Sequence, residues 1–280
     1  MLEIIFLFSL AIIWMIFGAV ADLKYHIVPN WLNFSLIIFA LGARFFYSLF
    51  SGDFNFFYQG LIGLGIFLII GNALYYGRMF SGGDAKLMIA LGTILPTSEF
   101  FSDNLEHFAM FLILFLFTGA IYGFGSIIFF SVKNFSNFKK QFLKQIKKEK
   151  SKTLLAIIFG TFFLILGLFE MTFFYFGMLI FLFPYLYFYA KAVDESCMVK
   201  IIGTRNLTEG DWLCNNLKIG KKTIKSKWEG LSKEEIKMIR KKFRNVKIRD
   251  GVPFEPTFLI AFLIHAWFLW KGIGLFELFF

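Results

Sequence analysis

The chain has 280 residues, of which 58% are hydrophobic, 43 are Phe and only 17% are charged, which is the composition of a bilayer protein rather than of one large soluble core. Its net charge of +10 invites a nucleic-acid reading. The Lys and Arg, however, are concentrated in 131–153 and 191–255, between apolar runs, so the charge is a record of membrane topology and no nucleic-acid partner is expected.

A membrane span needs about 20 apolar residues, and eight stretches are candidates, near 2–21, 31–50, 57–76, 85–100, 108–130, 154–169, 171–190 and 256–275. The first has neither a basic segment before it nor a small-residue cleavage signature ahead of Asp22, so it reads as a retained span and not a secretory signal. The fourth, AKLMIALGTIL (85–95), is short before Pro96; it is counted as a span continued past the proline as far as Phe101, because dropping it would send the lysines of 131–153 to the opposite side. With the N-terminus outside, the basic segments and Lys24, Arg78 and Lys86 all fall on one face, leaving Arg44 and Lys271 toward the other. The positive-inside bias makes the basic face cytoplasmic.

Two stretches do not read as membrane. KNFSNFKKQFLKQIKKEKSK (133–152) repeats Phe135, Phe138, Phe142 and Ile146 at helical spacing between lysines, the pattern either of a helix lying on anionic membrane lipid or of an orientation-setting basic loop. Residues 192–253 are long enough for a small subdomain. CMVKIIG, DWLCNNLKIG and KKTIKSKW predict short strands joined at glycine turns, and LSKEEIKMIRKKF predicts a helix opened by Ser232 and Glu235 in capping-box spacing. Cys197 and Cys214 both fall in this cytoplasmic stretch, where reduced thiols are the default, and they form no metal site with the scattered His26, His107 and His265.

The predicted fold is therefore a polytopic α-helical membrane protein of about eight transmembrane helices, with a small cytoplasmic α+β subdomain before the last one. Its expected segments are a transmembrane core of five helices (1–131), a basic loop or interfacial helix (132–153), a transmembrane hairpin (154–191), the subdomain (192–253) and the last transmembrane helix (254–280).

Ionisable groups at membrane depth are costly and mark candidate sites. Asp22 closes the first span and Asp84, in MFSGGDAKLM, opens the fourth; opposite helix directions put both on the cytoplasmic side at one level. Each also has a plainer reading, Asp84 as a helix N-cap after Ser-Gly-Gly and Asp22 as an interfacial charge beside Lys24. Together they have what an aspartyl hydrolase requires, two carboxyls sharing a proton so that one activates water while the other protonates carbonyl or leaving amine. The amino end of the fourth helix favours ionised Asp84 and the carboxyl end of the first disfavours ionised Asp22, which would make Asp84 the base and Asp22 the acid. Among neighbours, Gly82 and Gly83 permit positive φ and close approach to a substrate strand. Lys86 either offsets the pair's charge or snorkels to headgroups. Pro29 and Asn30 stiffen the turn into the second helix, with Asn30 as its cap. Asn72 is placed for a bond to another helix or to a catalytic carboxylate, and His265 reads as a neutral packing residue.

ADLKYHIVPNWL (21–32) resembles the segment around the first catalytic aspartate of the type IV prepilin peptidases, with Val28 in place of Ile. SGGDAKLMIALG (81–92) is similar to their second motif, GxGD followed by a lysine, with Ser81 in place of the first glycine. RDGVPFEPTFLIAF (249–262) resembles the segment before the final helix of archaeal members, including the preflagellin peptidases. The resemblance implies a membrane aspartyl endopeptidase that removes the short basic leader from membrane-inserted prepilin or prearchaellin, with Asp22 and Asp84 catalytic, Pro253 and Phe254 bordering the site, and no cofactor. Bacterial members that also methylate carry a four-cysteine zinc segment to which nothing here corresponds, implying peptidase without methyltransferase. Presenilin-like enzymes also use GxGD, but there Tyr precedes the first aspartate, and here it is Ala21. On a basic face, Glu234 and Glu235 are candidates to receive the basic leader, or simply helix-start acids. A proton-coupled transporter and a non-enzymatic pilus-assembly membrane protein are the alternatives; the former more naturally places its acids at mid-bilayer.

Overall fold

The computed structural model describes residues 2–220, 222–249, 251–275 and 277. Lys221, at the start of the KKTIKSKW strand reading, and Asp250, in the third motif, lie outside them. Two compact units result, one of 1–123 with 252–280, the other of 124–251.

The first unit is helical: α1 (Leu2–Tyr25), α2 (Asn30–Ser51), α3 (Asn55–Tyr76), α4 (Gly82–Leu91), the first two-thirds of α5 (Phe101–Lys133) and the last helix, α10 (Glu255–Lys271). The helix α4 has only 10 residues and ends at Leu91, with Gly92 as its cap. The expected continuation past Pro96 does not occur, and about 15 Å of helix does not span a bilayer alone. Its brevity is compensated by packing. A Cβ on Gly63 of α3 would collide with the Gly92 carbonyl, and one on Gly71 would lie 3.0 Å from the Ala85 carbonyl. These missing side chains let the α3 and α4 backbones touch. The core of the unit is Leu7, Met15, Leu36, Phe67, Met88, Leu91, Phe111, Phe258 and Phe262 with their neighbours. His265 is buried there, edge-on to His107 at 5.9 Å between ring centres.

Past α4 the backbone is non-helical, and Arg44 explains how it is tolerated. The side chain is fully buried. Its Nε donates to Thr93 O at 2.8 Å, Nη1 to Phe56 O at 2.8 Å, Nη2 to Ile94 O at 3.3 Å and to Pro96 O, and the guanidinium lies 4.3 Å from the Phe56 ring centre. One cation thus satisfies the Thr93, Ile94 and Pro96 carbonyls that follow the short helix and ties them to the first turn of α3 through Phe56 O. Asn104 completes the connection, accepting from Thr97 N–H and Ser98 N–H (both 2.9 Å) and donating to Gln59 Oε1 at 3.0 Å.

The second unit holds the rest of α5, then α6 (Phe135–Lys148), α7 (Lys150–Leu166), α8 (Met171–Cys197) and α9 (Lys233–Lys242), with strands β1 (Val199–Gly203), β2 (Trp212–Leu213), β3 (Leu217–Ile219), β4 (Lys222–Ile224) and β5 (Asn245–Arg249). The helices α7 and α8 form a close hairpin, because a Cβ on Gly177 would sit 2.6 Å from Leu164 N and one on Gly167 2.7 Å from Phe174 Cα. The predicted amphipathic helix forms as α6, but part of its apolar stripe is spent on protein. Phe138 stacks with Phe142 and meets Tyr189 of α8 edge-on at 4.9 Å, while Phe135 stays exposed.

Strands form in all three predicted stretches, but DWLCNNLKIG divides into β2 and β3, which belong to different sheets, and β5 is an addition. It is the centre of an antiparallel sheet of order β1-β5-β2, pairing Ile201 with Lys247 and Leu213 with Ile248, beside a separate β3-β4 hairpin turned at Gly220 (φ +61°). The helix α9 starts with the reciprocal Ser232–Glu235 box, and Glu235 also pairs with Lys227 at 3.0 Å. Cys197 and Cys214 are free thiols. Among the described residues, five helices, α1, α2, α3, α5 and α8, are long and apolar enough to cross a membrane; α7 and α10 are shorter apolar helices of 17 residues each.

Candidate active site

Asp22 lies in the last turn of α1, since that helix runs on to Tyr25, and Asp84 is the third residue of α4. Both are nearly enclosed, at 9% and 8% exposure, and the charge of Asp22 acts on Asp84. Local chemistry fixes Asp84: its Oδ2 accepts the Ser81 N–H at 3.1 Å while Ser81 Oγ accepts the Asp84 N–H at 3.4 Å. The cap expected of Asp84 is therefore Ser81, with Asp84 as the acid three residues on, a capping box in which aspartate replaces the usual Glu or Gln. Ser81, a departure from the GxGD pattern, is what makes the box.

The helix α2 holds the two acid-bearing helices in register. Trp14 Nε1 of α1 donates to Ser35 Oγ at 2.9 Å; Asn33 Nδ2 donates to Gly83 O at 3.3 Å; Lys86 Nζ donates to Asn30 Oδ1 at 2.6 Å. Asn30 is thus the first residue of α2, spent on Lys86, and the cap position belongs to Pro29, which makes no side-chain cap bond. Lys86 therefore has a protein partner in Asn30. Gly82 and Gly83 have helical backbone, without the positive φ expected of them, and a Cβ on Gly83 would touch Val28 at 3.4 Å. A Cβ on Gly82 would meet Tyr75 at 3.8 Å, so both glycines sit at ordinary contact distance from their neighbours.

Phe254 stands at the cap of α10, and its ring packs on Phe115 at 5.8 Å and Phe80 at 6.5 Å. Pro253 is half-buried just ahead of it. Asn72 donates to Leu68 O of its own helix at 2.8 Å and so bonds to neither carboxyl. Glu234 and Glu235 occupy the first turn of α9, with Glu235 committed to Ser232 and Lys227.

Sequence reasoning missed one acid. Glu255, the first residue of α10, is 1% exposed, and the charges of Asp84 and Asp22 act on its carboxyl. Its backbone N–H donates to Asp22 Oδ2 at 3.1 Å across 233 residues of chain. Asp22 therefore stands at a helix amino end as well, that of α10, and the helix-end contrast expected between Asp22 and Asp84 disappears. The signal was available: an acid opening an apolar run inside RDGVPFEPTF is a membrane-edge acid by the same rule that picks Asp22 and Asp84.

Three acids from α1, α4 and α10 thus converge, two with carboxyl oxygens held by backbone N–H groups. Hydrogen-bonded, enclosed carboxyls that feel one another's charge suit proton transfer to and from a bound water or peptide. Neither curated proteins nor solved structures include a match to this chain. The model of the type IV leader peptidase family matches residues 9–124, the stretch that carries both Asp22 and Asp84.

Proposed function

We propose that this chain is a membrane aspartyl endopeptidase that removes the short basic leader from type IV pilin-like or archaellin precursors at the cytoplasmic membrane face, with Asp22 and Asp84 as the catalytic pair. The observation that carries the reading is the convergence of two enclosed carboxyls from α1 and α4 inside the segment that matches the type IV leader peptidase family.

The chemistry follows from sharing one proton. One carboxylate takes a proton from water as the oxygen attacks the scissile carbonyl, and the other carboxyl protonates the departing amine as the C–N bond breaks. No cofactor is called upon. A leader cleaved here would lie at the ends of α1 and α4, where a substrate's apolar helix meets its polar leader. Gly82 and Gly83 add little bulk beside Asp84, and Pro253 and Phe254 line the entry to α10.

Co-expression with pilin and archaellin precursors tests this, following leader removal by wild type, Asp22→Ala and Asp84→Ala with membrane accumulation checked for each. Cleavage by wild type and by neither variant is the expected result. Cleavage that survives either substitution breaks the aspartyl mechanism, and no cleavage of any precursor favours a transporter or an assembly protein.

A further inference from the structure

The capping box that opens α4 has a part in this same site, which deepens the peptidase reading and rests on it. Asp84 follows Ser81, Gly82 and Gly83, and glycine loses more conformational freedom on entering a helix than any other residue. The backbone of this turn is held on both sides of the glycines. Phe80 packs on Phe115 and Phe258 at 5.6 and 5.9 Å between ring centres, and Asn33 donates to Gly83 O at 3.3 Å. The Asp84 carboxyl itself is held by the Ser81 N–H, 3.1 Å from Oδ2, and the return bond from Asp84 N–H to Ser81 Oγ at 3.4 Å closes the ring. Ser81 is extended (φ −70°, ψ 166°), a conformation that its Cβ helps to select. A glycine here, as in the GxGD pattern, supplies neither the Oγ nor that restraint and leaves three glycines in succession before the acid.

We propose that Ser81 is a positioning residue for Asp84, one that this chain has where the motif has glycine: its box keeps a donor on Oδ2 and fixes the direction of the carboxyl before a substrate arrives. A carboxyl held within a narrow range of angles is already aligned for proton transfer, and an N–H aimed at a carboxylate favours the charged form. Ser81 is exposed, so water can replace its Oγ at the Asp84 N–H. Losing the Oγ therefore loosens the carboxyl more than it weakens the fold. The titratable groups about Asp84 are Asp22 of α1, whose charge acts on it, and Glu255 of α10, which its own charge reaches and whose Oε2 is 2.5 Å from where a Cβ on Gly18 would stand. Tyr75 of α3 lies beside Gly82, and Lys86 of α4 is engaged by Asn30 of α2. Ser81→Gly changes none of these groups. The aspartates titrate as a pair, so a weaker hold on the Asp84 anion raises whichever limb of a pH–rate profile reports it and lowers neither, whether Asp84 serves as base or as acid.

The test compares purified wild type, Ser81→Gly and Ser81→Thr on a precursor that wild type cuts, reading kcat and KM against pH with Tm alongside. Ser81→Gly is expected to lower kcat about 5- to 30-fold at neutral pH with KM within about twofold. One limb is expected to rise by about half a pH unit or more, with Tm nearly unchanged. Ser81→Thr keeps a hydroxyl oxygen and a Cβ, and is expected to hold kcat within about threefold of wild type with both limbs in place. Amide hydrogen exchange over residues 81–86 reads the box without catalysis and is expected to be about tenfold faster in Ser81→Gly than in the other two proteins. Superimposable kinetics of Ser81→Gly and wild type overturn the role, and so do equal exchange rates. A fall in kcat with both limbs unmoved, or a Ser81→Gly protein too unstable to purify, marks a purely structural residue and overturns the proposal as well. A Ser81→Thr protein that behaves like Ser81→Gly does the same. Wild type that cuts no precursor at any pH overturns the peptidase reading and this role with it, whereas wild-type cleavage with an unmoved Ser81→Gly profile overturns this role alone.

Discussion

The two ends of α4 solve opposite problems. At its carboxyl end, Arg44 takes the carbonyls of Phe56, Thr93, Ile94 and Pro96, and Asn104 ties Thr97, Ser98 and Gln59 together. That end is a satisfied polar knot, bought with one permanent cation. At its amino end, the acids Asp22, Asp84 and Glu255 gather: the Glu255 and Ser81 backbone N–H groups donate to Asp22 and Asp84, and the carboxyl oxygens of Glu255 have no hydrogen-bond partner among the described residues. Buried polar groups that are paired rigidify a fold; buried like charges left together raise its energy and are characteristic of reactive sites. A short helix between them lets the rigid end hold the acid-lined end still.

Four substitutions break or sharpen this contrast. Asp84→Asn in the proposed enzyme is expected to lower kcat by about 10³-fold or more, with thermal stability changed little; a residual rate near wild type would move the reactive end elsewhere. Arg44→Met leaves four carbonyls with lost donors and is expected to cost about 3–5 kcal/mol, read as a fall in Tm in detergent, while molecules that remain folded cleave at a near-normal rate. Gly63→Ala drives a Cβ into the Gly92 carbonyl and is expected to cost about 1–3 kcal/mol, loosening α3 from α4 and slowing cleavage together, because both ends share that helix. Asn33→Ala removes the bond to the Gly83 carbonyl and is expected to cost about 1 kcal/mol, with a larger effect on rate than on Tm, since the bond sits beside Asp84.

The smallest effect belongs to neither end and serves as a control on pH experiments. Burial opposes ionisation of Glu235, but the Ser232 N–H and the Lys227 ammonium outweigh it and hold its carboxyl below the usual range. A depressed folded value means stabilisation that is present above the unfolded value, near 4.5, and is lost as pH falls through the folded one. The side chain is partly solvated, so the acid-induced loss is expected to be about 0.5 kcal/mol or less, measurable as a slight drop in subdomain Tm between neutral and acid pH that Glu235→Gln abolishes.

Much of the molecule was legible because local signals dominate there. Apolar runs gave the long helices, the Ser232–Glu235 spacing gave α9, and two acids at membrane edges gave Asp22 and Asp84. The strand β5 was not seen because NVKIR is flanked by a basic helix and its alternation of Val246 and Ile248 covers only two positions; its place at the centre of the sheet depends on β1 and β2, which are distant in sequence. The end of α4 at Leu91 depends on Arg44, about fifty positions away, so Pro96 alone predicts the wrong boundary. Asn30 reads as a cap until Lys86 is placed beside it. Glu255 was hidden by its neighbours: after Pro253 and before Pro256 it looks like an ordinary helix-start acid, and only the close approach of Gly18 turns it into a buried one.

The bond between Asp22 and the Glu255 backbone joins positions 233 residues apart. During synthesis, the ribosome delivers Asp22 and Asp84 early and Glu255 only after α5 to α9 have been made. Until then Asp22 has no α10 amide to hold it, and closing so long a loop waits on the synthesis of all that lies between. A nascent chain therefore carries both aspartates before it has the contact that orients the first of them.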